Sequence, residues 1–201
     1  MLRVAHRGAA ALASPNSMEG VRAALAVGVD MVELDVCPGL TVAHDVGRPG
    51  PRLEEFLEEL GDFLPADVEL MLDLKRTGYE RAALRAAEHA GLLERCLFAT
   101  LELSSVRILA GDARTSFSYN RRSPGSAAAV LRGMAPRAWR RSGAADATIR
   151  HTLASPALVD TVHDRGGRVF AWTVNHTAAI GRLEALGVDG IVTDDPRLLH
   201  E

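Results

Sequence analysis

Short apolar runs alternate with longer, alanine-rich amphipathic runs along almost the whole chain, and this alternation restricts the fold more than any other feature. Runs of strand length occur at Leu2–Ala5, Met31–Val36, Val68–Leu74, Cys96–Thr100, Thr115–Ser118, Ala147–Arg150, Val169–Val174 and Gly190–Thr193. Helical patterns follow nearly every one, as at Ser17–Ala26, Leu53–Phe63, Glu80–His89, Pro156–Arg165 and Ala178–Leu186. Parallel strands need a crossover to return the chain to the same end, and a helix supplies it. Eight units of about 25 residues fit the 201 residues and predict one (β/α)8 TIM-barrel domain over 1–201. A doubly wound open sheet is the alternative, but no Gly-x-Gly-x-x-Gly follows the first strand. Gly28–Asp35 echoes Gly187–Asp194, each a candidate helix-ending glycine followed by a strand that ends in a carboxylate. Only Asn120–Ala145 is hard to phase.

Composition removes several classes of function. At 47% hydrophobic residues the chain can bury a full core without disulfides or structural metal. With 4% aromatic residues and a net charge of −3, neither base stacking nor broad electrostatic capture of nucleic acid is expected. Cys37 and Cys96 share no short metal-ligand spacing and read as free thiols of a reducing compartment. No signal-peptide pattern and no apolar run of about 18 residues is present, so the expectation is a soluble, cytoplasmic protein.

Chemistry concentrates where strands end. Glu33 and Asp35 stand two residues apart on one strand, which places both on one face while Val32, Leu34 and Val36 take the other. In a barrel the apolar face meets the helices, so the two acids point inward at the mouth. Asp73 and Lys75 repeat the arrangement on the next strand. Three carboxylates there suit a hard divalent cation, Mg²⁺ or Ca²⁺; the competing reading is a buried ion-pair network with Lys75 and Arg7. Lys75 is the only lysine among 23 basic residues. A compact ammonium on a flexible stem suits a position where a planar guanidinium does not fit.

His6 ends the first strand and His44 follows shortly after the acidic one. Each read alone is a packed core histidine; together, beside three acids and two cations, they form a proton-transfer pair. His89, His163 and His200 fall on helical or terminal stretches and read as solvated. His151 and His176 follow strands and are weaker candidates for the mouth.

Taken as a set, His6-Arg7-Gly8, Asn16-Ser17, Glu33-Leu34-Asp35, His44-Asp45, Asp73-Leu74-Lys75, Trp172-Thr173-Val174-Asn175 and Gly187–Pro196 resemble the glycerophosphodiester phosphodiesterase family. The resemblance implies a TIM barrel that uses a divalent cation to hydrolyse glycerophosphodiesters to sn-glycerol 3-phosphate and an alcohol. It implies His6 and His44 as the acid/base pair and Glu33, Asp35 and Asp73 as metal ligands. Arg7 and Lys75 take the phosphate, and Trp172 forms the aromatic wall of a small-molecule pocket. Whether water or a neighbouring glycerol hydroxyl attacks is open.

Three departures accompany the resemblance. A family glutamate is absent from Ser14-Pro15-Asn16-Ser17, and Asp73 stands where the family carries glutamate. The insertion that usually follows the second histidine is reduced to Val46–Arg52. That shortening leaves two rivals: a lysophospholipase D-like hydrolase of larger lipid phosphodiesters, and a non-catalytic phosphate-binding barrel. Arg114–Arg150 holds eight arginines and one acid, Asp146, with Trp139 between Arg137 and Arg140. It reads as a solvated arginine face or, alternatively, as a contact surface for anionic lipid headgroups. The sequence leaves the oligomeric state open.

Overall fold

The computed structural model describes residues 1–119 and 135–200. Its strands are β1 (Leu2–Ala5), β2 (Met31–Cys37), β3 (Thr41–Val42), β4 (Glu69–Leu74), β5 (Cys96–Thr100), β6 (Arg114–Tyr119), β7 (Asp146–Arg150), β8 (Val169–Trp172) and β9 (Gly190–Thr193). Its helices are α1 (Met18–Val27), α2 (Leu53–Gly61), α3 (Glu80–His89), α4 (Leu103–Leu109), α5 (Ala135–Ser142), α6 (Pro156–His163) and α7 (Thr177–Leu186). Of the stretch that phases poorly in sequence, 120–134 lies outside the described residues and α5 occupies part of the remainder.

Every barrel strand pairs in parallel with both neighbours, and β1 pairs with β2 on one side and β9 on the other, so eight strands close into a barrel. The two-residue β3 runs antiparallel to β2 outside the ring. The echo between Gly28–Asp35 and Gly187–Asp194 has a structural counterpart. Gly28 (φ 88°) ends α1 and Gly187 (φ 82°) ends α7, both left-handed, a conformation that costs glycine little.

Alternation along the strands separates two cores. Outward residues such as Val32, Leu34, Leu70 and Leu72 pack with Leu53, Leu57 and Ala83 of the helices. Inside the ring, Val4, Met31, Met71, Leu97, Phe170 and Val192 form a buried apolar middle layer. Each large apolar side chain fully buried this way contributes about 2 kcal/mol.

Below this layer, an ion network closes the base. Arg168 donates both Nη groups to Glu69 at 2.8 Å, and Arg114 donates to the fully buried Asp146 at 2.7 and 2.9 Å. Above it lies the polar mouth.

This layering divides the arginine-rich stretch. Arg114 belongs to the base, whereas Arg137, Arg140 and Arg141 are exposed on α5. Arg121, Arg122 and Arg132 lie outside the described residues. Trp139 is 2% exposed and donates its indole N–H to the Asp146 carbonyl at 2.8 Å. It is a core residue, so it does not anchor a lipid surface.

Gly190 leaves room for Phe170: a Cβ there would come within 2.5 Å of a ring carbon in the closed interior. Gly190→Ala is expected to destabilise the fold by about 1–3 kcal/mol in urea denaturation. A change below about 0.5 kcal/mol would mean that the middle layer has slack.

Candidate active site

The C-terminal ends of the barrel strands bring the residues singled out from sequence to one place. His6, Arg7, Glu33, His44, Asp73, Lys75 and Trp172 line a cavity of about 1040 Å³. Asp35 is fully buried and does not line the cavity itself, but it contacts two residues that do, Arg7 and Lys75. Neither His151 nor His176 lines this cavity, and His163 pairs instead with Asp189 at 2.8 Å.

The acids form a tight group: Glu33, Asp35 and Asp73 each offer a carboxylate oxygen within 4.8 Å of the others. The β2–β4 register sets Asp35 opposite Asp73 and thereby fixes that spacing. Lys75 Nζ lies against Asp35 and at 2.5 Å from Asp73 Oδ2. Burial disfavours its charge, but Asp73, Asp35 and Glu33 more than offset that, so its pKa rises.

Asp35 is held below the ordinary carboxylate range despite its burial. Lys75, a hydrogen bond from Asn16 Nδ2 at 2.9 Å and Arg7 Nε at 3.0 Å outweigh the desolvation. Glu33 has less compensation. Burial and then the charge of Asp35 push it up to about 7. Its Oε2 accepts the Arg7 backbone N–H at 2.8 Å, in a turn where Arg7 adopts φ 52°.

The two histidines differ in support. His6 Nδ1 lies 2.6 Å from Asp194 Oδ1, and its Nε2 is 4.0 Å from Glu33. The pKa of Asp194 is lowered, first by its hydrogen bond with His6, so the carboxylate is the acceptor. Burial opposes charge on His6, yet the Asp194 hydrogen bond and the Glu33 charge prevail and its pKa is raised. Asn175 fixes Asp194 in turn, donating to Oδ2 at 2.5 Å and accepting the Asp194 backbone N–H at 3.0 Å. His44 is exposed and its Nδ1 lies 2.9 Å from Asp45 Oδ1.

Four supporting residues carry no role in the sequence reading: Asp194, Asn175, Asn16 and Tyr79. The echo of Gly28–Asp35 in Gly187–Asp194 is a signal for the first, because it aligns Asp194 with Asp35. Tyr79 donates its hydroxyl hydrogen to the Val36 carbonyl at 2.5 Å and accepts the Lys75 N–H at 2.9 Å, tying together the ends of β2 and β4. The short Val46–Arg52 connection folds back along β3, with Val42 N–H on the Pro51 carbonyl at 2.9 Å. It leaves Val46 exposed at the mouth.

The His6–Asp194 bond gives a signed expectation. The pair contributes most stability between the lowered pKa of Asp194 and the raised pKa of His6, and loses it as pH rises through the latter. Asp194→Asn is expected to shift the His6 titration downward in NMR of the metal-free protein. An unchanged titration would show that Asp194 does not govern His6.

Comparison with known proteins places the barrel. The model of the glycerophosphoryl diester phosphodiesterase family matches residues 53–198. YhdW of Bacillus subtilis, provisionally named a glycerophosphodiester phosphodiesterase, is 43% identical over 56 residues, covering 28% of this chain and 23% of that relative. A crystal structure from Silicibacter pomeroyi DSS-3, provisionally named a glycerophosphoryl diester phosphodiesterase, superposes with a TM-score of 0.83 at 23% identity, covering 100% of this chain and 92% of the other. An Oleispira antarctica phosphodiesterase solved with its product sn-glycerol-3-phosphate superposes with a TM-score of 0.71 at 19% identity, covering 98% and 94%. With the family model matching well over half of its length, the chain belongs to the glycerophosphoryl diester phosphodiesterase family.

Proposed function

We propose that this chain hydrolyses glycerophosphodiesters to sn-glycerol 3-phosphate and an alcohol, with His6 and His44 transferring the protons. The observation that carries this reading is the meeting of His6 and His44 with Glu33 and Asp73 around one cavity at the barrel mouth, the two acids being grouped with the buried Asp35. Family membership and the product held by the Oleispira antarctica phosphodiesterase support it.

The acidic group fits a divalent cation. Its three carboxylates are hard oxygen donors within 4.8 Å of one another, and Glu33 remains under-compensated by the side chains around it. Glu33, Asp35 and Asp73 would hold Mg²⁺ or Ca²⁺, which supplies charge stabilisation to a phosphoryl oxygen when bound. Asp73 reaches the group although it is one methylene shorter than glutamate.

The remaining work belongs to the chain's own side chains. Lys75 and the Arg7 guanidinium present positive charge to the phosphate oxygens. Asp194 holds the His6 ring by Nδ1, which leaves Nε2 to donate a proton to the departing alkoxide. His44, oriented through Nδ1 by Asp45, takes the proton of the attacking hydroxyl or water. Trp172 walls the substrate on the β8 side.

One observation favours a second reading, a lysophospholipase D-like action on larger lipid phosphodiesters. Val46 and Leu101, exposed by 53% and 37%, both border the cavity and offer an apolar rim to an acyl chain.

His6→Ala and His44→Ala are each expected to lower kcat by at least about 10²-fold with the fold retained by circular dichroism. Turnover at the parental rate in either variant would remove that histidine from the mechanism.

Metal affinity carries its own signature. Protons compete for Glu33 as pH falls through about 7. Calorimetric Mg²⁺ or Ca²⁺ binding is expected to weaken from pH 8 to pH 6. A constant affinity would show that Glu33 does not ligate the ion.

A further inference from the structure

Four basic side chains follow the inward register of the barrel strands, Lys75, Arg114, Arg150 and Arg168, while Arg7, paired with Asp35, and the exposed Arg76 also line the cavity from the turns after β1 and β4. Three of the four lie against carboxylates. Lys75 meets Asp35 and Asp73, Arg114 meets Asp146 at 2.7 Å, and Arg168 meets Glu69 at 2.8 Å. Arg150 alone among the four has no carboxylate partner among the described residues.

Its placement is fixed by β7. Asp146 and Thr148 precede it on the same face, Asp146 in the base network and Thr148 Oγ1 at 2.5 Å from Ser116 Oγ inside the barrel. Arg150 is aligned with Trp172 in the β7–β8 register, and both side chains line the cavity. Going round the ring, four steps in either direction separate β7 from β2. Arg150 therefore faces the acidic group from the opposite side of the mouth.

A phosphodiester with its phosphorus at the acidic side and one ester arm extended across the mouth directs that arm toward the β7 wall, where Arg150 lines the cavity. Arg150 is exposed to solvent, so its guanidinium is open to a ligand that enters the cavity. Its planar fork matches the two oxygens of a carboxylate or phosphate. A quaternary ammonium at the same place would meet like charge. Glu102, which lines the cavity after β5 two strands away, forms no ion pair with Arg150.

We infer that Arg150, beside Trp172, forms a subsite for an anionic group carried at the far end of the diester's alcohol arm. Substrates of this class are glycerophosphodiesters whose leaving alcohol bears a phosphate or carboxylate. The inference rests on the proposed hydrolysis for the identity of the diester, and binding tests it separately from turnover.

The probes are glycerophosphoglycerol and the same diester carrying a terminal phosphate, titrated calorimetrically with Mg²⁺ into the His6→Ala protein. The phosphate-bearing diester is expected to bind at least about tenfold tighter. Arg150→Gln in the same background is expected to bring that ratio close to one, and Arg150→Lys to retain part of it. The wild-type kcat/KM ratio for the two diesters should follow the same order. Equal binding in the Arg150 parent, binding of neither diester, or a preference that survives Arg150→Gln would overturn the subsite. A binding preference without hydrolysis of any diester would leave the subsite standing and refute the hydrolase reading. Hydrolysis without a preference would do the reverse.

Discussion

Asp35 and Asp73 stand side by side because β2 and β4 are in that register, and two adjacent carboxylates in a barrel interior resist joint ionisation unless a cation lies beside them. Lys75 is that cation. It comes from the same strand end as Asp73, so the register that creates the electrostatic problem also supplies the compensation. Tyr79 secures that end by bonding to both β2 and β4. Arg7 and Asn16 then complete the coordination of Asp35 from the β1 side. Glu33 is left as the least compensated acid, and the proposed divalent-cation site rests on it.

The same barrel treats charge differently at its two ends. At the base, Glu69, Arg114, Asp146 and Arg168 pair with one another and close the interior beneath a buried apolar layer. At the mouth, the buried Glu33 remains without full compensation, and the exposed Arg150 stands on the opposite wall without a carboxylate partner among the described residues. A layered barrel interior allows this because each strand contributes an inward residue at every second position.

Strand positions were legible because alternation reports burial directly. Cys96–Thr100, Gly190–Thr193 and Glu80–His89 coincide with β5, β9 and α3. Other ends were set by hydrogen bonds that hydrophobicity does not encode. Val68 bonds back to Pro65 in a turn instead of extending β4, and Phe63 bonds to Leu60 beyond the end of α2. The site was legible to the same depth. Glu33, Asp35, Asp73 and Lys75 declare themselves by strand parity. Asp194 and Asn175 support His6 across 188 residues and 19 residues of separation, respectively direct and through Asp194, distances at which spacing carries no information. Trp139 shows the opposite error: among arginines it resembles an interfacial anchor, yet one hydrogen bond to Asp146 and near-complete burial make it core.

The central claim is that this mouth cleaves a phosphodiester bond. Phosphorus NMR of glycerophosphoglycerol incubated with the wild-type protein and Mg²⁺ or Ca²⁺ tests it most directly. The diester resonance is expected to give way to that of sn-glycerol 3-phosphate. A diester resonance that stays unchanged with either ion, extended to glycerophosphocholine, the phosphate-bearing diester and a lysophospholipid, would contradict it.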